Sequence, residues 1–120
     1  MADDRERLEP GRAAFNRGEY FLAHELWEEV WREVGEAEQG TFVQGLIQIA
    51  AGLHHLQKHR RGPAAGLLRK GLEKVSKRRP ASSGDLRIDP LVSQVERLLA
   101  ELAAPESELP AVADPGQLEL

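Results

Sequence analysis

The sequence predicts an all-α fold, a compact bundle of four to five helices with short connections, and three observations carry that expectation. Apolar residues recur at three- and four-residue spacing in successive stretches, Pro and Gly punctuate the chain between them, and no run alternates as a half-buried strand would. A chain of 120 residues suits one domain that buries roughly two thirds of its unfolded surface. The expected layout is a flexible N-terminus over residues 1–9, a single helical domain over 10–104 and a disordered acidic tail over 105–120.

Pro10 suits the first turn of a helix, so the first helix is expected from about Pro10 to Asn16. Asn16-Arg17-Gly18 turns the chain, because Gly18 accepts the left-handed backbone that ends a helix. The second helix, about Glu19 to Val34, places Tyr20, Ala23, Trp27, Val30, Trp31 and Val34 on one face and turns Glu25, Glu29 and Glu33 away. Tyr20, Phe21 and Leu22 diverge too widely to share one core, and Phe42 falls off the main stripe of the next helix, so aromatic surface is left over for a partner.

The third helix, about Thr41 to Arg60, is expected to be central. Val43, Leu46, Ile47, Ala50, Leu53 and His54 share its apolar face, which turns His54 into the core. Gln44, Gln48, Ala51 and His55 line up beside that face as a polar ridge. Gly45, Ala50, Ala51 and Gly52 admit a closely packed neighbour, as the bulk of Trp27 and Trp31 requires. Pro63 opens a fourth helix to about Lys77, with Arg69, Lys70 and Lys77 on its solvated side. After a linker over residues 79–88, Asp89-Pro90 caps a fifth helix to about Ala103, carrying Leu91, Val92, Val95, Leu98, Leu99 and Leu102.

Composition excludes several function classes. There is no Cys, so neither disulfides nor thiolate chemistry is available, which fits a reducing cytoplasm. The apolar run from Leu46 to Leu56 is interrupted by Gln48 and His54-His55 and is far shorter than the roughly twenty residues of a membrane span. The Met1-Ala2-Asp3-Asp4 start lacks the basic-then-apolar order of a signal peptide, so a soluble, cytoplasmic protein is expected. The net charge of -4 hides a basic middle: residues 58–79 carry 9 Lys and Arg against 1 acid, while 1–57 carry 5 against 11 and 80–120 carry 2 against 8. Acidic flanks weaken the field of that basic segment, and no aromatic side chains interleave its cations, which argues against nucleic acid as a ligand.

The chemistry-bearing residues concentrate in His24-Glu25-Leu26-Trp27-Glu28-Glu29-Val30-Trp31-Arg32. His24 and Glu28 are four apart and meet on one helix surface. With Glu25, Trp31, Gln44, Gln48 and His54 they make a candidate site between the second and third helices. One reading is a buried polar cluster in which the histidines, glutamates and glutamines satisfy one another, since an unpaired buried polar group costs roughly 1–3 kcal/mol. The other is a divalent metal held by His24, Glu28 and His54, with a hydrolase-type activity centred on His24, Glu25 and Glu28. His-Glu-x-x-Glu is not the zinc-protease His-Glu-x-x-His, no serine has an identifiable histidine–carboxylate arrangement, and no Gly-rich phosphate loop is present. His55 and His59, also four apart, read as a solvated edge.

Phe15-Asn16-x-Gly18-x-Tyr20-Phe21-x-x-His24-Glu25-x-x-Glu28-x-x-Trp31-Arg32, followed by Gln44-Gly45-x-Ile47-Gln48-x-Ala50-Ala51 and His54, resembles a bacterial and archaeal family described as domain of unknown function 309. The resemblance extends more weakly through the region from Asp85 to Pro90, and Trp27 stands where that pattern usually has an aliphatic residue. It implies a compact all-helical domain with no assigned activity. The sequence therefore favours a structural or protein-interaction module, with a homodimer or another protein as partner and no required cofactor, over an enzyme.

Overall fold

The computed structural model describes residues 4–34, 38–77 and 88–103, and these form five α-helices with no strand among them. They are α1 (Asp4–Asn16), α2 (Tyr20–Val34), α3 (Glu38–Gln57), α4 (Arg61–Lys77) and α5 (Ile88–Ala103). Each helix packs on the next in sequence, with α3 between α2 and α4. Inter-helix contacts set the directions: Leu8 meets Trp27, Gln57 meets Gly18, Gly45 meets Gly71 and Arg61 meets Leu102, so every neighbouring pair runs antiparallel. Short connections favour this arrangement in helix bundles. No described helix is long and apolar enough to cross a membrane.

α1 starts six residues before the expected Pro10, which puts Pro10 inside the helix on its exposed side. The extra turns are held by tertiary contact, because Leu8 is buried and its carbonyl oxygen accepts a hydrogen bond from Trp27 Nε1 at 3.1 Å. Trp27 is fully buried, and its indole lies against Gly11, where a Cβ would come within 2.2 Å of Nε1. Phe15 completes this corner, edge-on to Tyr20 at 5.0 Å and tilted against Trp27 at 5.7 Å. The room that Trp27 needs is thus provided by Gly11 on α1, and Gly45 and Gly52 of α3 serve a different neighbour.

That neighbour is α4. A Cβ on Gly71 would meet the Gly45 carbonyl oxygen at 2.7 Å and the Ile49 nitrogen at 2.9 Å, and one on Gly52 would meet Leu68 at 2.9 Å and the Ala64 carbonyl at 3.1 Å. The two backbones therefore touch, and Ile49, Leu53, Leu68 and Val75 close around them without access to water. α3 is buried around most of its circumference, as a helix with neighbours on both sides must be. Phe42 is part of that core, not surface for a partner, since it is only 2% exposed. The tail expected over residues 105–120 and most of the 79–88 linker lie outside the described residues.

Alanine at Gly71 is expected to cost about 2–3 kcal/mol in urea unfolding, since the added carbon meets backbone that cannot move aside. Alanine at Gly66 of the same helix, where nothing lies within 4 Å, is expected to stabilise by up to about 1 kcal/mol through helix propensity alone. Equal effects at the two positions would refute the close approach.

Candidate functional site

One end of the bundle gathers the α1–α2 turn, the α3–α4 turn and the C-terminal end of α5. Gln57 Nε2 donates to the Gly18 carbonyl oxygen at 3.0 Å, and Arg61 Nη2 donates to the Leu102 carbonyl oxygen at 3.2 Å. Here a pocket of about 170 Å³ opens, lined by Phe21 and His24 from α2 and by Ala51, His54 and His55 from α3. The Phe21 ring lies between two imidazoles, 6.0 Å from His24 and near-parallel to it, and 5.1 Å from His54. Phe21 and Leu22 are the large apolar side chains left exposed among the described residues, at 53% and 42%. They follow Tyr20, which takes the core, so the next two positions on the helix necessarily turn outward.

His24 and Glu28 pair as their spacing requires, with His24 Nε2 3.2 Å from Glu28 Oε1, and Glu28 Oε2 reaches Arg32 at 3.6 Å. The contact with a carboxylate places the imidazole proton on Nε2, and His24 Nδ1 is buried without a hydrogen-bond partner, as is His55 Nδ1. His24, Glu28 and Arg32 thus form a short polar ladder along one side of α2. The pocket lining supplies no hydroxyl or thiol to serve as nucleophile. The Glu28 side chain is 38% exposed, so the ladder contributes under about 1 kcal/mol to stability.

The other expected members of the cluster are spread out. Glu25 is exposed, and Trp31 is partly buried at the margin of the core. Gln44 lies ten residues before His54, about 15 Å along α3, and Gln48 lies six before it, about 9 Å. Gln48 Oε1 instead accepts a hydrogen bond from Lys74 Nζ of α4 at 2.8 Å. No polar or charged side chain is buried among the described residues, so a buried His/Glu/Gln network is not formed. No three His, Asp or Glu side chains among them are arranged to hold a metal ion, whereas a catalytic zinc needs three protein ligands.

His54 is a correction with a clear cause. The helical period places it beside Leu53 and Ala50, but the rotation of α3 against α2 turns it to the pocket rim, partly buried, and leaves Leu53 in the core. Desolvation lowers its pKa below the usual 6.5, and electrostatic interactions with Lys58, His55, Arg60 and His24 add in the same direction. His55, expected on a solvated edge, is instead partly buried in the pocket wall.

His59 is exposed, as expected of a solvated edge, but sequence reasoning missed its backbone role. α1 and α3 end in the same way: Glu19 N–H donates to the Ala14 carbonyl and Gly18 N–H to Phe15, while Arg60 N–H donates to His55 and His59 N–H to Leu56, all at 2.9 Å. Both are Schellman turns, which need a left-handed residue. Gly18 supplies it at φ 80°, but in α3 His59 takes φ 60°, a conformation that a side chain disfavours by about 1–2 kcal/mol. The signal that could have revealed it is the absence of Gly where α3 had to stop.

Residues 8–67, half of the chain, match a family model described as domain of unknown function (DUF309). The match covers the pocket and all three glycines of α3, and it ends before the stretch from Asp85 to Pro90. No curated protein and no solved structure matches.

Two outcomes follow. Because His54 resists protonation in the fold, the unfolded chain binds the extra proton first. Stability is therefore full above pH 6.5 and declines as pH falls from 6.5 through the lower folded-state value. A His54→Gln variant should show a flatter dependence of urea midpoint on pH across that window, and parallel curves would count against the assignment. His59→Gly should raise stability by about 0.5–1 kcal/mol in the same assay, and a loss would show that the His59 side chain holds the turn.

Proposed function

We propose the following role for this chain, which belongs to the DUF309 family: it is a protein-interaction module that receives a short acidic peptide with a central apolar side chain at the pocket between α2 and α3. The exposure of Phe21 beside that pocket carries the reading. A phenyl ring costs about 1.5–3 kcal/mol to leave in water when it could be covered, and here it stands with Leu22 against a concave, mainly apolar surface. The pocket volume suits one side chain of leucine size. Lys58 and Arg60, both exposed just beyond the pocket and both acting on His54, select negative charge on either side of that side chain. Glu19, in the neighbouring α1–α2 turn, is paired with Arg17 at 2.6 Å, and Glu28 with His24 and Arg32.

The test is selection from a displayed library of short peptides, followed by anisotropy measurements. Peptides with a central Leu, Ile or Phe and flanking Asp or Glu are expected. Phe21→Ser should weaken them at least tenfold, the equivalent of about 1.4 kcal/mol, with no loss of helical circular dichroism. Binding that survives Phe21→Ser unchanged would remove the pocket as the site.

A further inference from the structure

An apolar side chain with acids beside it, the chemistry inferred above for the ligand, is also presented by the outer face of α2. Phe21 and Leu22 are exposed at the start of that helix, and Glu25 and Glu29 follow one and two turns later, both exposed. The neighbouring acids are paired within the fold, Glu19 with Arg17, Glu28 with His24 and Arg32, and Glu33 with Arg7. Among the described residues no ion pair holds Glu25 or Glu29, and none holds Lys58 or Arg60, the exposed cations of the α3–α4 turn. One copy of the chain therefore carries two unmatched acids and two unmatched cations around one exposed phenyl ring.

Their positions along α2 decide how two copies fit together. Glu25 and Glu29 lie about 6 and 12 Å from Phe21 toward the C-terminal end of the helix. In the opposite direction, about 4.5 Å from Phe21, lies Gly18, whose carbonyl is bound by Gln57, the residue before Lys58. The acids thus stand beyond one side of Phe21 and the cations beyond the other. A two-fold axis that crosses at Phe21 runs the second α2 antiparallel to the first, which brings the acids of each copy to the cations of the other. Parallel helices in the same register set acid against acid and cation against cation.

We propose that the partner of this site is a second copy of the chain: the two α2 helices pack antiparallel about a two-fold axis, each Phe21 ring enters the other copy's pocket beside Phe21 and His24, and Glu25 and Glu29 of each copy lie against Lys58 and Arg60 of the other. This rests on the docking reading and names its ligand. The contact is isologous, so it closes at two copies. Opposite charges set direction and register, and the two phenyl rings supply the apolar area that is covered. A contact confined to one helix face and one turn belongs with the small, transient interfaces, so association in the micromolar range is expected.

Sedimentation velocity of the full chain, from low micromolar to about 1 mM, tests this. The expected result is a reversible monomer–dimer equilibrium that weakens as salt is raised. Phe21→Ser should leave only monomer across that range, with unchanged helical circular dichroism. Charge reversal supplies the second measurement. A chain with Glu25→Lys and Glu29→Lys is cationic on both sides of Phe21, and one with Lys58→Glu and Arg60→Glu is anionic on both, so each alone should stay monomeric. Mixed, the two should form a one-to-one heterodimer, because every pair across the two-fold axis is again opposite in charge. Monomer alone in the unaltered chain, a dimer that survives Phe21→Ser, or a mixture that stays monomeric would overturn the proposal. The acidic peptides of the previous section, which should dissociate the dimer, separate the two readings. Peptide binding to a chain that is only ever monomeric removes the second copy as ligand and leaves the docking reading intact. A dimer rescued by mixing that no such peptide dissociates supports the second copy and removes the peptide, and failure of both removes the docking reading as well.

Discussion

Direct contact between the backbones of α3 and α4 is the constraint on which the other positions depend. With Gly45 and Gly71 each lacking a side chain at the crossing, the two helices approach until carbonyl and amide atoms limit them. Side chains on either side of the crossing then interdigitate at close range, which is where dispersion is strongest. This approach fixes the rotation of α3 about its own axis. Rotation in turn decides which of its side chains face α4, which face α2 and which are left at the edge. Ile49 and Leu53 go inward, and Ala51, His54 and His55 go to the pocket.

A second fixed point lies on the opposite side of α2. The Trp27 indole fills the notch at Gly11 and ties its nitrogen to the Leu8 carbonyl, so α1 cannot slide along α2 without losing both a close fit and a hydrogen bond. Held between α1 and α3, α2 has one orientation in which Tyr20, Ala23 and Trp27 are all covered. Phe21, Leu22 and His24 then fall on the side away from α1 or toward the α3 C-terminal turns. The pocket is thus a by-product of two tight contacts made elsewhere.

The end of the bundle that carries the pocket also carries its least comfortable backbone. His59 holds the left-handed position that Gly18 fills in the turn beside it, and the Gln57 side chain crosses from one turn to the other to bind the Gly18 carbonyl. Two imidazole nitrogens remain without partners there, and desolvation and nearby cations lower the pKa of His54. Strain and unmet polar groups tend to collect where a surface has a role besides stability. In this chain the His59 turn and the two imidazole nitrogens lie within about one turn of the pocket, while Gln94 Oε1 on α5 is a further buried polar atom without a partner.

Local spacing determined much of this protein. An all-α chain of helices, the turn at Gly18, the pairing of His24 with Glu28 and the outward turn of Phe21 and Leu22 all follow from relations between residues a few positions apart, which the helix itself sets, whereas α4 and α5 begin at Arg61 and Ile88, ahead of the expected Pro63 and Asp89-Pro90. Relations between helices were decided only in three dimensions. Periodicity places His54 on an apolar stripe but cannot say how far α3 is rotated, so a residue at the edge of that stripe can enter the core or the rim. Distances along α3 keep Gln44 and Gln48 away from His54 although all three stand in one segment. Gly11 and Gly45 look alike in sequence, yet one accommodates an indole and the other a backbone. The partner each glycine receives depends on which helix arrives, and that is a property of the packed bundle.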